Sequence, residues 1–361
     1  MKKYNFLVFI GRFQPFHNGH SAIVQAGLKL TDQLIILCGS AHQPRTIRNP
    51  WTVAEREQMI RGAVSVHDQA RLHVMPLMDS LYNDDAWVNN VQTTVQGLIA
   101  AHYQKPHQDP VIGLIGHNKD QSSYYLSLFP QWQAVSVQNL AGISATPLRN
   151  AFLNTGKIDA VVPDNVYQQL MQFKQTHAYI ALKDEQAFVR QYQQAWQAAP
   201  YAPTFVTVDA VVVQSGHVLL VERKARPGKG LLALPGGFVN QDETLFDACV
   251  RELREETRLK VPVPVLKGSI QTQQIFDDPH RSARGRTMTY AFHMALPADE
   301  KLPKVKGGDD ARHALWVPLS ELDPQRLFED HYFIIQRMLG LSTTTHRDRP
   351  DDKSTNEGIS L

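Results

Sequence analysis

The stretch FLVFIGRFQPFHNGH, residues 6–20, decides the fold. Phe6 to Ile10 is a short apolar run without alternation, the pattern of a strand covered on both faces. Gly11 permits a tight strand exit, and a helical pattern opens at His20 and runs to Leu30. Gly19 lets the backbone approach an anion closely, at a helix N-terminus whose first N–H groups lack partners. His17 and His20 each offer a ring N–H to phosphate oxygens, and Arg12 adds a fixed positive charge. His-x-Gly-His alone is a short pattern that chance produces in a surface turn. Its position between a strand and a helix makes it a nucleotide cradle.

Outward from this turn, short β-runs alternate with amphipathic stretches. Strands are expected at Phe6–Ile10, Gln33–Leu37, Leu72–Met75, Val111–Ile115 and Ala134–Val137, with helices at His20–Leu30, Val53–Val64, Trp87–His102 and Ser122–Leu128. Such alternation predicts an α/β, doubly wound parallel sheet whose ligands bind beyond the carboxyl ends of the strands. Two further helices are expected at Asp164–His177 and Asp184–Ala198, and the segment Ala198–Pro203 ends the second. Beyond it the pattern becomes β-rich, with runs at Phe205–Val213 and His217–Glu222 and one strong helix at Glu243–Thr257, as in an α+β domain. The expected organisation is a first domain over 1–182, a helical linker over 183–202, a second domain over 203–341 and a disordered polar tail over 342–361.

A second anion site is expected at Ile143-Ser144-Ala145-Thr146-Pro147-Leu148-Arg149, with Thr146 as N-cap and Pro147 in the first helical position. Ser144, Thr146 and Arg149 would converge on the positive end of that helix, although an ordinary capped helix with a solvent-facing arginine has the same pattern. Thr52-x-x-Glu55 reads as a structural capping box. The strand exits Gly39-Ser40-Ala41, ahead of a basic loop at Arg45–Arg48, and Gly116-His117-Asn118-Lys119-Asp120 are less specific.

Together the two elements resemble the HxGH nucleotidyltransferases, whose signatures are His-x-Gly-His and Ile-Ser-x-Thr-x-x-Arg. The wider Gly-Arg-Phe-Gln-Pro-x-His is similar to the archaeal-like NMN adenylyltransferase branch, and the likeness covers about residues 4–180. It implies a Rossmann-like fold and in-line attack by the phosphate of NMN on the α-phosphate of ATP, with His17, His20 and Arg149 on the triphosphate. Ser144 and Thr146 would assist, with Gly11, Arg12, Phe13 and Gly19 lining the nucleotide site. Trp87 matches a position where this branch stacks an aromatic on nicotinamide; a core role fits it equally.

In the second half, GFVNQDETLFDACVRELREETRL, residues 237–259, sets Glu252, Glu255 and Glu256 at i, i+3 and i+4 on one helix face. Three carboxylates on one stripe repel unless cations bind, and Mg²⁺ or Mn²⁺ suits oxygen ligands. A solvated acidic face paired with Arg251 and Arg254 is the plainer alternative. The fixed positions Gly237, Glu243, Arg251, Glu252, Leu253, Glu255, Glu256 and Leu259 resemble the Nudix box. That resemblance implies a metal site on Glu252, Glu255 and Glu256, a polarised water that cleaves a nucleoside diphosphate derivative, and a structural Glu243–Arg251 pair. One position departs: Arg258 replaces the glycine that closes the box, so the following loop is open to a shift. The segment Phe276–Arg286 and Gly307–Ala311 with Trp316 are similar to the ADP-ribose-directed branch. There Arg281 and Arg286 are nucleotide-binding candidates or a solubilising surface, and Arg223 and Arg226 are phosphate contacts or simply exposed.

Composition agrees with a two-core enzyme. The chain has 361 residues, 43% hydrophobic, and a net charge of +2 that gives no reason to expect nucleic acid or a membrane as partner. Lys2 and Lys3 precede an apolar run too short for a signal peptide. Two distant cysteines, Cys38 and Cys249, suggest neither disulfides nor zinc, which favours a reducing cytoplasm. The expected partners are ATP and NMN, ADP-ribose or a related nucleoside diphosphate, and a possible second copy of the chain. Two other readings stay open: another HxGH acceptor, such as phosphopantetheine or an alcohol phosphate, and a second domain that senses a nucleotide without turnover.

Overall fold

The structure is a computed structural model, described here for residues 2–105, 107–116, 128–137, 143–308 and 311–341. The expected helix over 122–128, the loop residues 117–120, Asp309, Asp310 and the tail from 342 lie wholly or largely outside the described residues.

The first sheet has five parallel strands: β1 (Tyr4–Gly11), β2 (Thr31–Cys38), β3 (Leu72–Pro76), β4 (Ile112–Gly116) and β5 (Gln133–Ser136), in the order β3-β2-β1-β4-β5. The β1 run has no polar alternation because both its faces are covered. Leu7 and Phe9 pack into one core, with α1 (Asn18–Leu30), α2 (Val53–Gly62) and α5 (Ala145–Thr155). Phe6, Val8 and Ile10 pack into the other, under α4 (Asp84–His102). A short α3 (Val66–Gln69) precedes β3. The Thr52–Glu55 capping box forms at the start of α2, and Arg45 clasps the same Glu55 at 2.7 Å and 2.9 Å.

Helix α5 begins two residues earlier than the sequence pattern suggests. Ser144 is its N-cap and makes no side-chain cap bond, so Thr146 and Pro147 lie inside the first turn. Proline is tolerated there because those N–H groups have no intrahelical acceptor. The next break also differs from expectation. Helix α6 (Asp164–Phe173) ends early, and Thr176 caps α7 (His177–Gln194) by accepting from the Tyr179 N–H. Helix α7 therefore crosses the expected 182/183 boundary without interruption. Tyr179 and Leu182 sit in the first core, while Gln193 donates to the Ala283 carbonyl at 3.0 Å in the second half.

The second sheet is mixed, in the order β10-β11-β6-β7-β12, with β6 (Phe205–Gln214), β7 (His217–Arg223), β10 (Ile270–Phe276), β11 (Thr287–Ala295) and β12 (Ala311–Pro318). Short strands β8 (Leu232–Ala233) and β9 (Gly236–Phe238) pair with β7 and β6. Period-2 alternation in β6 sends Val208, Ala210 and Val212 to α8 (Leu245–Thr257), and Val211 to α10 (His331–Leu339). A short α9 (Val263–Gly268) closes one end. Tyr82, from the first half, enters this second core: its ring meets Phe276 edge-on at 4.9 Å and its hydroxyl donates to Asp330 at 2.6 Å.

Arg258 ends α8 at φ 54°, ψ 25°, and its N–H bonds the Arg254 carbonyl at 3.0 Å. The left-handed cap is thus kept despite the missing glycine. Holding a side chain there costs on the order of 1 kcal/mol. Arg258→Gly is expected to raise stability by up to about 1 kcal/mol, seen as a higher Tm without loss of cooperativity.

His331 is buried. Its Nδ1 accepts the Leu234 N–H at 2.8 Å, and Asp209 lies 4.0 Å from Nε2. Burial lowers its pKa below 6.5 against the pull of Asp209 and Asp330, so the fold holds a neutral ring. That contribution is present above the unfolded pKa and is lost as the pH falls through the lower folded value. Thermal unfolding from about pH 7 to 5 is expected to show a decline that His331→Asn flattens.

Candidate active sites

The HxGH turn caps its own helix with its histidines. His17 Nδ1 accepts the His20 N–H and His20 Nδ1 accepts the His17 N–H, each at 3.3 Å. The rings stack at 3.6 Å. With both Nδ1 atoms accepting, the proton of each neutral ring belongs to Nε2, the donor needed for a phosphate oxygen. Gly19 makes the arrangement possible, because a Cβ there would stand 3.0 Å from His17 Cε1. Phe13 is 1% exposed, and its ring packs edge-on to His20 at 4.9 Å. It supports the histidine from the core. Gly11 is roofed by the same ring, 2.8 Å from where its Cβ would stand.

The two signatures meet. Arg149 is buried, and its guanidinium donates to the carbonyls of Gln14 and Ile47 at 2.9 Å and to Thr146 Oγ1 at 3.4 Å. It is not the solvent-facing arginine of a plain capped helix. Burial, followed by the charges of Arg12 and Arg48, pulls its pKa down to about 10. Burial and Arg12 also lower Arg48. Three guanidinium groups close enough to repel one another at the carboxyl ends of β1 and β2 form a site for a multiply charged anion. Ser144 and Thr146 are exposed at the rim.

Sequence reasoning gave no role to Arg56. It is 1% exposed and donates to the carbonyls of Arg12 (2.7 Å), Gly39 (2.6 Å) and Thr52 (3.2 Å). Its helical spacing is ordinary, so only the strand exits beside it reveal its role. Trp87 lies partly buried on α4, with its ring 6.0 Å from Phe129. That contact satisfies the core alternative and leaves part of the ring exposed.

In the second half, Glu252 and Glu256 converge on Gly236 and Gly237 of strand β9. The Gly236 N–H donates to Glu256 at 3.0 Å, and a Cβ on Gly237 would fall 2.5 Å from the Glu252 carboxylate. Burial pushes the Glu256 carboxyl up to about 8, with Glu252 adding to the rise. Burial likewise raises Glu252 against the pull of Arg251. Glu255 is turned toward Arg251 and is 40% exposed. Arg251 also pairs with Glu252 at 2.7 Å and bidentately with Glu243 at 2.6 Å and 2.9 Å. The Glu243–Arg251 brace forms as the motif implies. Among the described residues, no group of three or more acidic, histidine or cysteine side chains is gathered closely enough to cage an ion. The structure thus joins two of the three expected metal ligands and places Arg251 between Glu252 and Glu255. Two desolvated carboxylates beside β9 still form a donor set that fits a hard divalent cation.

The arginine candidates divide. Arg281 is buried and bonded bidentately to Asp330 at 2.8 Å and 2.9 Å, with Asp209 at 3.8 Å. Burial works against its charge, but Asp330 overrides this, so the side chain ties the loop between β10 and β11 to the start of α10. Arg286 is held by Asp277 through its carbonyl and its carboxylate. Arg223 lies over the Phe328 ring at 4.0 Å and donates to Pro227. Together with Lys224, Arg226, Lys229 and Arg312 it borders a basic recess of about 830 Å³. Arg226 also pairs with Asp184 of α7 at 3.0 Å.

Comparison with known proteins bears on both halves. Residues 8–151 match the cytidylyltransferase-like family and residues 203–338 match the NUDIX domain. The nicotinamide/nicotinic acid mononucleotide adenylyltransferase of Acinetobacter baylyi is 41% identical over 186 residues, 51% of this chain and 95% of that protein. The ADP-ribose pyrophosphatase of Methanocaldococcus jannaschii is 38% identical over 136 residues, 38% of this chain and 73% of that protein. A crystal structure of a bifunctional NMN adenylyltransferase/ADP ribose pyrophosphatase from Francisella tularensis, complexed with AMP and a Mn ion, superposes with a TM-score of 0.87 at 35% identity. That match covers 93% of this chain and 99% of the Francisella chain. With both motifs, both folds and nearly the full length shared, the chain belongs to the family of bifunctional NMN adenylyltransferase/ADP-ribose pyrophosphatases.

Proposed function

We propose that the first domain, over 1–182, joins NMN to ATP to give NAD and pyrophosphate. The second, over 203–341, hydrolyses ADP-ribose to AMP and ribose 5-phosphate with a divalent cation, Mg²⁺ or Mn²⁺. The observation that carries the first half is the stacked His17–His20 pair beside the Arg12, Arg48 and Arg149 guanidiniums. Transfer of an adenylyl group from ATP needs no covalent intermediate. The phosphate of NMN attacks the α-phosphorus, the bond to the β-phosphate oxygen breaks, and pyrophosphate leaves in line. Catalysis then consists of aligning two anions and stabilising the charge that gathers on the leaving group. Imidazole Nε2–H groups, the buried Arg149 and the guanidiniums of Arg12 and Arg48 near it supply that stabilisation.

The second half rests on Glu252 and Glu256 beside Gly236 and Gly237 of β9. These two would hold the cation, with Glu255 joining them once released from Arg251. A divalent cation held there would polarise a water for attack on a phosphorus of the diphosphate. The chain itself contributes a carboxylate pair desolvated before any ligand arrives, while Arg251 fixes the loop through Glu243. The Arg223 recess offers positive charge for the diphosphate.

Both activities are measured on the full chain, as dinucleotide formed from NMN and ATP and as AMP released from ADP-ribose. His20→Ala is expected to lower the first at least about 100-fold and spare the second, and Glu256→Gln the reverse. Loss of both activities by either folded variant refutes two independent sites. Gly19→Ala is expected to displace the His17 ring and cut adenylyl transfer by about tenfold or more, with thermal stability and AMP release near wild type.

A further inference from the structure

Between the two halves lies a cavity of about 300 Å³, bordered by Arg12, Ser40, Thr46 and Arg48 of the first and by Asp278 and His280 of the second. Arg48 donates from Nη1 to the His280 carbonyl at 2.5 Å, across 232 positions of chain. The carbonyl is itself held in place: the His280 N–H donates to Asp278 Oδ1 at 2.7 Å, closing an Asx turn. The turn stands on a rigid base, since the Arg281 N–H bonds the Asp278 carbonyl at 3.1 Å and the Arg281 side chain is buried on Asp330. Tyr82, bonded to the same Asp330, fixes the first half to that base.

We propose that the pyrophosphatase domain completes the substrate pocket of the adenylyltransferase domain, with the Asp278–His280 turn as a wall that positions Arg48 toward a phosphate-bearing substrate. The inference rests on the adenylyltransferase reading of the first site. Without the turn, Arg48 would be a long surface side chain with several rotamers, and ordering it on binding would cost affinity. With the turn, its fork is held before the substrate arrives. Asp278 also offsets the repulsion between Arg48 and Arg12. Asp278 is therefore a positioning residue: it acts through the peptide of His280 on Arg48 and takes no part in the chemistry.

The test uses the full chain, with KM for NMN and for ATP measured separately. Asp278→Ala is expected to raise one of the two KM values five- to tenfold with kcat within twofold. Asp278→Asn, whose amide oxygen still accepts from the His280 N–H, is expected to return that KM to within about twofold of wild type. In the wild-type chain, hydrogen exchange of the amides of 280–284 is expected to slow when the substrate affected by the alanine variant is added, a change that a merely structural turn would not produce. Unchanged KM values in a folded Asp278→Ala chain, failure of asparagine to rescue, or exchange indifferent to substrate overturns the proposal. Should alanine prevent folding, the exchange experiment on the wild-type chain decides alone. No dinucleotide from the wild-type enzyme would instead refute the adenylyltransferase reading itself.

Discussion

Strand exits in a parallel sheet leave carbonyl groups that no neighbouring strand can use, and in this protein buried guanidiniums answer them. Arg56 takes the carbonyls of Arg12 and Gly39, where β1 and β2 end, and Arg149 takes those of Gln14 and Ile47. Each such bond is charge-assisted, and loss of the arginine would leave several buried acceptors unsatisfied at once. The loops that carry Arg12, the His17–His20 pair and Arg48 are therefore fixed from beneath. Positive charge needed for structure and positive charge needed for substrate share one small volume, and this adds to burial, the larger cause, in lowering the proton affinity of Arg149.

The second half solves the opposite problem. Acidic side chains must be kept together, and Arg251 does this by spanning Glu243, Glu252 and Glu255 from one position on α8. Glu256 stays outside Arg251's reach and beneath the Gly236 N–H, so its charge is the one least compensated by the protein.

The contiguous features were legible in the sequence. The parallel strands, the HxGH turn and the acidic helix each express themselves within about twenty residues, through periodicity or fixed spacing. What escaped depends on partners far along the chain. Arg281 sits in an arginine-rich loop that resembles a substrate loop, yet its carboxylate is 49 positions away and buried. Arg56 looks like any helical arginine until the strand exits are placed beside it. The start of α5 was misread by two positions because a proline signals the first turn without fixing which residue of that turn it occupies. Glu255 shares a face with its neighbours as spacing requires, but which carboxylate an arginine takes is decided by loop geometry that the spacing does not carry.

Helix α7 belongs to both halves. Its early turns are anchored in one core by Tyr179 and Leu182, and further along Glu185 receives the Gly228 N–H and Gln193 reaches Ala283. No cut through it leaves both fragments with their packing whole. The seam is thus a packed rod and not a slack tether, and neither half owns it.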